Sequence, residues 1–381
     1  MKRKWLFLAL SILLIGVVGM ISVQAYRNRQ RIAPRPIDIA EGQPVQLPDE
    51  SVRIAVADYK LSGPYMYNNL TIYLVHGQDR GGAKPPLTLS EAMEQKKVVV
   101  HETESVNELA VENVSNEQVF VQSGDIVKGG KQDRVLAVDM IIPPKSGRMP
   151  IDSFCVEHGR WSGRGGEAVA AFGSSTKMIN SKELKIAAKH NASQREVWDK
   201  VAESQVKLSQ GVMASATPAS SGAAAIAEPN FTVNSRESDS SLQLALENKE
   251  LQRSVKDYID KLSPIIQGKG DVIGYVFAIN GELNSADIYS SHRLFVKLWP
   301  KLLEASATEA IGEYDKNKLN QPVEIAAVKA FLEEAETARS STRDLDGRML
   351  LIKRESEKKL FFETRQGKQT TDWVHRNYIA K

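Results

Sequence analysis

The chain has a single cysteine, Cys155, among 381 residues. No intramolecular disulfide can therefore form, and no zinc site can be built on thiolates. Its six histidines (His76, His101, His158, His190, His292, His375) show no His-x-x-x-His or related spacing, so neither a metal nor another cofactor is expected. Excess charge is missing too: 50 Lys and Arg against 47 Asp and Glu leave a net charge of +3. Basic residues are not interleaved with aromatics either, which argues against a nucleic-acid partner. There is no Gly-x-x-x-x-Gly-Lys-Ser/Thr, no Gly-x-Gly-x-x-Gly and no Gly-x-Ser-x-Gly. A P-loop, the dinucleotide fingerprint and a hydrolase nucleophile elbow are thus unsupported. No internal repeat appears, which excludes solenoids and propellers.

Long apolar runs are also absent, with one exception. Within residues 1–25 the basic "MKRK" joins "WLFLALSILLIGVVGMISV", the pattern of an export signal or a membrane anchor. "VQA" at Val23 to Ala25 offers a cleavage site before Tyr26, and an uncleaved single span fits equally. Either way the bulk of the chain is expected to be extracytoplasmic, periplasmic or at the cell surface, touching the membrane through this segment if it is uncleaved. Residues 26–50, with "APRPIDIAEGQPVQLPDE", read as a linker.

What is present beyond residue 50 is mostly β-type. Residues 51–161 hold short runs such as "VRIAVADY", "NLTIYLVHG", "KVVVHET", "QVFVQSG" and "RVLAVDMIIPP". They are interrupted by one short helix in "LTLSEAMEQ", capped by Thr88 or Ser90. Residues 162–270 read as a helical insertion projecting from the core. It carries a glycine-rich loop, a helix opened by the capping box Ser193 to Glu196, a low-complexity linker in "ASATPASSGAAAIAEP" and a second amphipathic helix marked by Leu251, Val255, Tyr258, Leu262 and Ile266. Residues 271–310 complete the core, with Asn280 and Gly281 turning a hairpin and Pro300 expected to kink or split the helix that follows. Residues 311–381 add a C-terminal helix and strands. The fold class is α+β, a β-sandwich-like or barrel-like core with a helical insertion.

Candidate chemistry concentrates between Gly124 and Trp161. Gly129 and Gly130 can adopt positive φ and leave backbone N–H groups uncovered, as in an anion-binding nest. Lys131, Gln132, Asp133 and Arg134 follow, and Arg148, Arg160 and Arg164 add guanidiniums suited to phosphate or carboxylate. Alternation in "SFCVEHGRW" puts Ser153, Cys155 and Glu157 on one face. Glu157 there is either an acid/base or the partner of Arg160 or Arg134. A thiolate at Cys155 and ligand stacking on Trp161 are the sharper alternatives to simple packing. The binding residues expected are Gly129, Gly130, Lys131, Gln132, Asp133, Arg134, Arg148, Glu157, Arg160 and Trp161, and no catalytic residue is assigned. The reading is an exported module binding an anionic small molecule or glycan. An enzyme using Glu157 or Asp139 as acid/base on a phosphate- or glycoside-linked substrate is one alternative, and a structural envelope protein is the other.

The Gly-Lys-Gln-Asp-Arg run (Gly130 to Arg134) and the Cys-Val-Glu-x-Gly-Arg-Trp run (Cys155 to Trp161), with "LTLSEAMEQKKVVVHE" before them and "VIGYVFAINGELNSADIYSSHRLFVKLWPKLLEAS" after, carry a resemblance. The stretch from about Asn69 to about Ala305 resembles the ARG and Rhodanese-Phosphatase-superfamily-associated protein domain family, an ARPP-1-type domain, with the later tail outside it. The resemblance implies a ligand of phosphate or ADP-ribose character and no particular reaction.

Overall fold

The computed structural model describes residues 59–215 and 231–381, apart from 83, 104, 168, 319–320 and 370–371. The expected signal or anchor, the linker and nearly all of "VRIAVADY" lie outside the described residues. The described residues all belong to one compact unit.

Strands β1 (Lys60–Tyr67) and β2 (Leu70–His76) form a hairpin. After β3 (Leu87–Thr88) comes helix α1 (Leu89–Glu94), whose first turn is closed reciprocally by Thr88 and Glu91. There follow β4 (Val98–Glu102), β5 (Glu108–Asn113), β6 (Val119–Val121), β7 (Ile126–Gly129), β8 (Arg134–Leu136), β9 (Met140–Ile142), β10 (Gly147–Cys155) and β11 (Phe172–Gly173). A helical stretch comes next: α2 (Lys182–Lys185) running into a π-helical turn at Ile186–His190, then α3 (Gln194–Ser215), α4 (Leu242–Leu246) and α5 (Lys249–Leu262). Strands β12 (Val272–Ile279) and β13 (Glu282–Tyr289), helices α6 (His292–Gly312) and α7 (Ile325–Glu336), and strands β14 (Arg339–Asp344), β15 (Met349–Glu355), β16 (Lys359–Gln366) and β17 (Trp373–Ala380) complete the chain.

The strands build an eight-stranded sheet in the order β1-β2-β12-β13-β17-β16-β15-β14 and a six-stranded sheet in the order β11-β7-β8-β10-β5-β4. The two ends of the six-stranded sheet meet through a bridge between His101 and Ala171 and a hydrogen bond from the Glu102 N–H to the Ala170 carbonyl (3.3 Å). It is a nearly closed barrel, so the α+β class with a barrel-like core holds. The barrel is filled at one end by Val100, Leu109, Val111, Val127, Leu136 and Ile151. Alternation along β2 sends Leu70, Ile72 and Leu74 into the main core and Tyr73 and Val75 to the other face of the eight-stranded sheet, against α7. At β2 that sheet is therefore covered on both sides.

The described helices within residues 162–270 pack into the molecule instead of projecting from it. Val197, Val201 and Leu208 of α3 and Leu251, Val255, Tyr258 and Leu262 of α5 join Leu294, Phe295 and Leu298 of α6 in one buried cluster. Their apolar faces have no other place to leave water, and each such side chain contributes about 1.5–3 kcal/mol on burial. The C-terminal strands are likewise part of the core, because β17 pairs with β13 on one side and β16 on the other. Asn280 (φ 52°) and Gly281 (φ 80°) turn the β12–β13 hairpin. Of the kink or split expected at Pro300, the split does not occur: α6 runs unbroken from His292 to Gly312. Pro300 and Val296, whose carbonyl loses its partner, are both exposed. Water can satisfy that carbonyl while the buried face holds the helix together.

Candidate functional site

The β7–β8 turn closes on itself. Gly129 (φ 108°) and Gly130 (φ 58°) reverse the chain, and a Cβ on Gly130 would sit 2.5 Å from the Phe172 ring. The turn then folds Asp133 back beneath it. The Asp133 carboxylate accepts from the Gly129 N–H (2.8 Å), from both terminal nitrogens of Arg164 (3.0 and 3.1 Å) and from the Ser241 hydroxyl (2.8 Å) at the start of α4. Glu157 accepts from the Asp133 N–H (3.2 Å) and from Arg160 Nε (2.8 Å) and Nη2 (2.7 Å). Arg160 also donates to the carbonyls of Gly129 (3.3 Å) and Gly130 (3.2 Å). Burial pushes the Glu157 carboxyl up, but the Arg160 hydrogen bond and its other donors outweigh this and hold it below the ordinary range. The N–H groups of Gly129 and Asp133 are thus used by the protein's own carboxylates.

A second group gathers around the paired strands β8 and β10 of the barrel. Arg134 on β8 stands opposite Cys155 on β10. It donates to the Val106 carbonyl and, at 3.3 Å, to Glu102. Five buried polar atoms of this neighbourhood have no hydrogen-bond partner: Arg134 Nε, Glu102 Oε2, Ser153 Oγ, and both Nε2 and Oε1 of Gln132, which is completely buried. Burial pushes the Cys155 thiol up to about 11 against the opposing pull of Arg134, so it is a packed thiol and not a thiolate nucleophile.

The structure brings together Gly129, Gly130, Asp133, Glu157 and Arg160, with Arg164 added. Lys131 is half-buried and makes no ion pair among the described residues, and Trp161 is 56% exposed. Arg148 is not brought to this place. It lies seven positions from Cys155 along extended β10, about 23 Å away at strand spacing, and its exposed guanidinium is 3.8 Å from Glu112.

Asp139, the other carboxylate singled out by the sequence, belongs to a third cluster between the barrel and the eight-stranded sheet. It accepts from the Ser123 N–H (2.7 Å), the Thr364 hydroxyl (2.9 Å) and His375 Nδ1 (2.9 Å). His375 Nε2 donates in turn to Asp287 (3.1 Å), and the ring stacks on Tyr289 at 4.5 Å. Both ring nitrogens face carboxylates, so the ring carries both protons. Burial alone would lower its pKa, but Asp139 and Asp287 together raise it. Lys189, from the π-helical turn, donates to Asn377 (2.9 Å), which donates to Asp287 (2.8 Å). Burial lowers the Lys189 ammonium below its ordinary pKa.

The model of the ARPP-1 family, the "ARG and Rhodanese-Phosphatase-superfamily-associated Protein domain", matches residues 58–378. The chain belongs to the ARPP-1 family. No curated protein and no solved structure matches it. The family match runs past Ala305, where the sequence resemblance was expected to end. It takes in β17, so the ARPP-1 domain includes His375 as well as the β7–β8 turn. Its description records an association with other domain families and names no reaction.

Sequence reasoning missed His375, Asp287 and Lys189 of the ARPP-1 domain. One signal was available: "WVHRNYI" puts His375 and Asn377 on one face and Arg376 on the other, a polar pattern on both faces of an apparent strand, which implies buried partners. Among the described residues, no group of three or more His, Cys, Asp or Glu is arranged to hold a metal ion, and no helix is long and apolar enough to cross a membrane.

Proposed function

We propose that this ARPP-1 chain is an extracytoplasmic ligand-binding module, kept outside by its N-terminal apolar segment, and that the ligand enters the barrel mouth beside the Gly129–Arg134 turn. The observation that carries the reading is the set of five unpartnered polar atoms on Gln132, Arg134, Glu102 and Ser153. Buried polar groups in folded proteins are normally satisfied, and each orphan left behind costs about 1–3 kcal/mol. The set mixes donors and acceptors, which suits hydroxyl or amide groups. The guanidiniums of Arg134, Arg160 and Arg164 each have a carboxylate partner already, so strong anion binding by these arginines is disfavoured. A sugar or ribose unit fits best: its hydroxyls reach the orphaned atoms, a single phosphate meets the unpaired Lys131, and a base or ring stacks on the exposed Trp161. This narrows the anionic, ADP-ribose-like ligand expected from the sequence. Acid/base chemistry by Glu157 or Asp139 is the weaker reading, because both carboxyls are held below the ordinary range and a general acid requires the opposite shift.

Gln132→Leu tests it. With no partner to lose, the substitution removes an unsatisfied amide and raises the stability of the free protein by about 1 kcal/mol. If the site binds a ribosyl or sugar ligand, the same variant loses the thermal shift that ADP-ribose, ribose 5-phosphate or a neutral hexose gives the wild type. If none of the three shifts the wild-type melting temperature, the reading is wrong.

A further inference from the structure

Away from the barrel, a small cleft lies beside α2, α3 and α6. Its lining includes Glu309 and Asn180, which are only 3% and 2% exposed. Glu309 Oε1 accepts from the Asn284 side chain (2.8 Å) and the Lys182 N–H (2.9 Å), while Oε2 is buried without a partner. Asn180 donates to the Ser204 hydroxyl (3.2 Å), while its Oδ1 is buried without a partner. Two residues that each carry a buried, donor-hungry oxygen therefore line one opening, and neither belongs to the site already described.

The surroundings are acidic in balance. Glu183, Glu203, Glu309 and Glu313 line the cleft with Lys200 and Lys207, four negative charges against two positive when all are ionised. Glu203 and Glu313 are held by the lysines: Lys200 is 2.7 Å from Glu203, and Lys207 is 3.2 Å from Glu203 and 2.7 Å from Glu313. Glu183 and Glu309 make no ion pair among the described residues. The nearby interior cation, Lys185, sits over the Phe277 ring at 5.5 Å and forms no salt bridge with Glu309. Burial raises the Glu309 carboxyl above its ordinary range in spite of Lys185, as for a buried acid whose charge is under-compensated.

We infer that this cleft binds a small primary amine, whose ammonium donates to Glu309 Oε2 and Asn180 Oδ1. An ammonium offers three N–H donors and no acceptor, the complement of two orphaned acceptors in an acidic cleft. The enclosed space holds little more than a water-sized group, so the ammonium enters it and the rest of the ligand stays at the surface. A diamine places its second ammonium toward Glu183.

The experiment is a calorimetric titration of the purified full chain with putrescine, and with tetramethylammonium at matched ionic strength. Tetramethylammonium carries the same charge type with no N–H donor. Putrescine is expected to bind saturably at one site per chain and tetramethylammonium not at all. Asn180→Asp keeps the accepting oxygen and adds a charge, so it tightens putrescine binding. Asn180→Leu weakens it roughly tenfold or more, the scale of a lost hydrogen bond to a charged group. Both variants are checked for wild-type circular dichroism. If either fails to fold, Glu183→Gln at the half-buried rim decides, with a severalfold loss expected. Absence of a saturable putrescine signal, equal binding of tetramethylammonium, or affinity unchanged in every folded variant overturns the inference. Gln132→Leu leaves putrescine binding intact, so this result and that for the barrel mouth are read separately.

Discussion

The ARPP-1 domain holds its buried charge in two contrasting ways. At the β7–β8 turn, Asp133 and Glu157 are matched by Arg160 and Arg164. Between the sheets, Asp139 and Asp287 share one imidazolium, His375, with Lys189 close by. The first cluster is made of guanidiniums that never lose their protons in the working range. The second depends on a ring whose ordinary pKa is 6.5 and which only its two carboxylates keep charged. Removing one member of a buried ion pair costs more than the pair contributes, because the remaining charge is stranded. The difference lies in how many charges are stranded and in which condition strands them.

The largest effect is expected at the second cluster. His375→Ala leaves Asp139 and Asp287 facing each other in the interior and costs about 3–5 kcal/mol, read as a fall in the midpoint of urea unfolding. Asp133→Ala is next. It strips Arg164 of its forked partner and the Gly129 N–H of its acceptor, at about 2–4 kcal/mol. Glu167, 3.0 Å from Arg164, moderates the loss.

Alkaline pH separates the two clusters without mutation. The folded pKa of His375 is raised above 6.5. Its contribution is therefore fully present below about that pH and is lost as pH climbs through the folded value, at up to about 1.4 kcal/mol for every pH unit between the unfolded and folded pKa. Asp287, with its pKa lowered from 3.8, contributes above that value and loses its contribution as pH falls through the folded pKa. Urea melts across the neutral to alkaline range should show a decline in the wild type that is absent in His375→Gln and retained in Asp133→Ala. An equal decline in all three would end the distinction between the clusters. The smallest effect belongs to Arg148→Ala, an exposed guanidinium with a loose partner. It is expected to change stability by less than about 0.5 kcal/mol and to leave ligand-induced thermal shifts unchanged.

Much of the local architecture was legible. The cap at Thr88, one of its two candidates, the turn at Asn280 and Gly281, and the 3.6-residue spacing from Leu251 to Leu262 each carry their own short-range cause, and each formed as the residues indicate, while Ile266 falls beyond the end of α5. The pairing of Glu157 with Arg160 was within reach because the two lie three residues apart. Strand β14, "RSSTRD", carries no signal in the sequence, because it sits at the sheet edge with most of its residues exposed and so shows no apolar alternation. Arg148 is close to the turn in sequence, whereas an extended strand carries its residues apart. His375 could not be joined to Asp139 at all, since 236 residues separate them.

The sequence by itself determined the β-rich core, the capped helices, the glycine turn and the impossibility of disulfide or thiolate-zinc staples, because these follow from backbone preference, periodicity and composition acting over a few residues. Tertiary structure alone decided that the helices of residues 162–270 fill the core, that the arginines of the turn are matched by carboxylates, and that Asp139, Asp287 and His375 form one unit. A charge taken out of water must find its partner wherever the fold supplies one, and that place is set by the packing of the two sheets and not by distance along the chain.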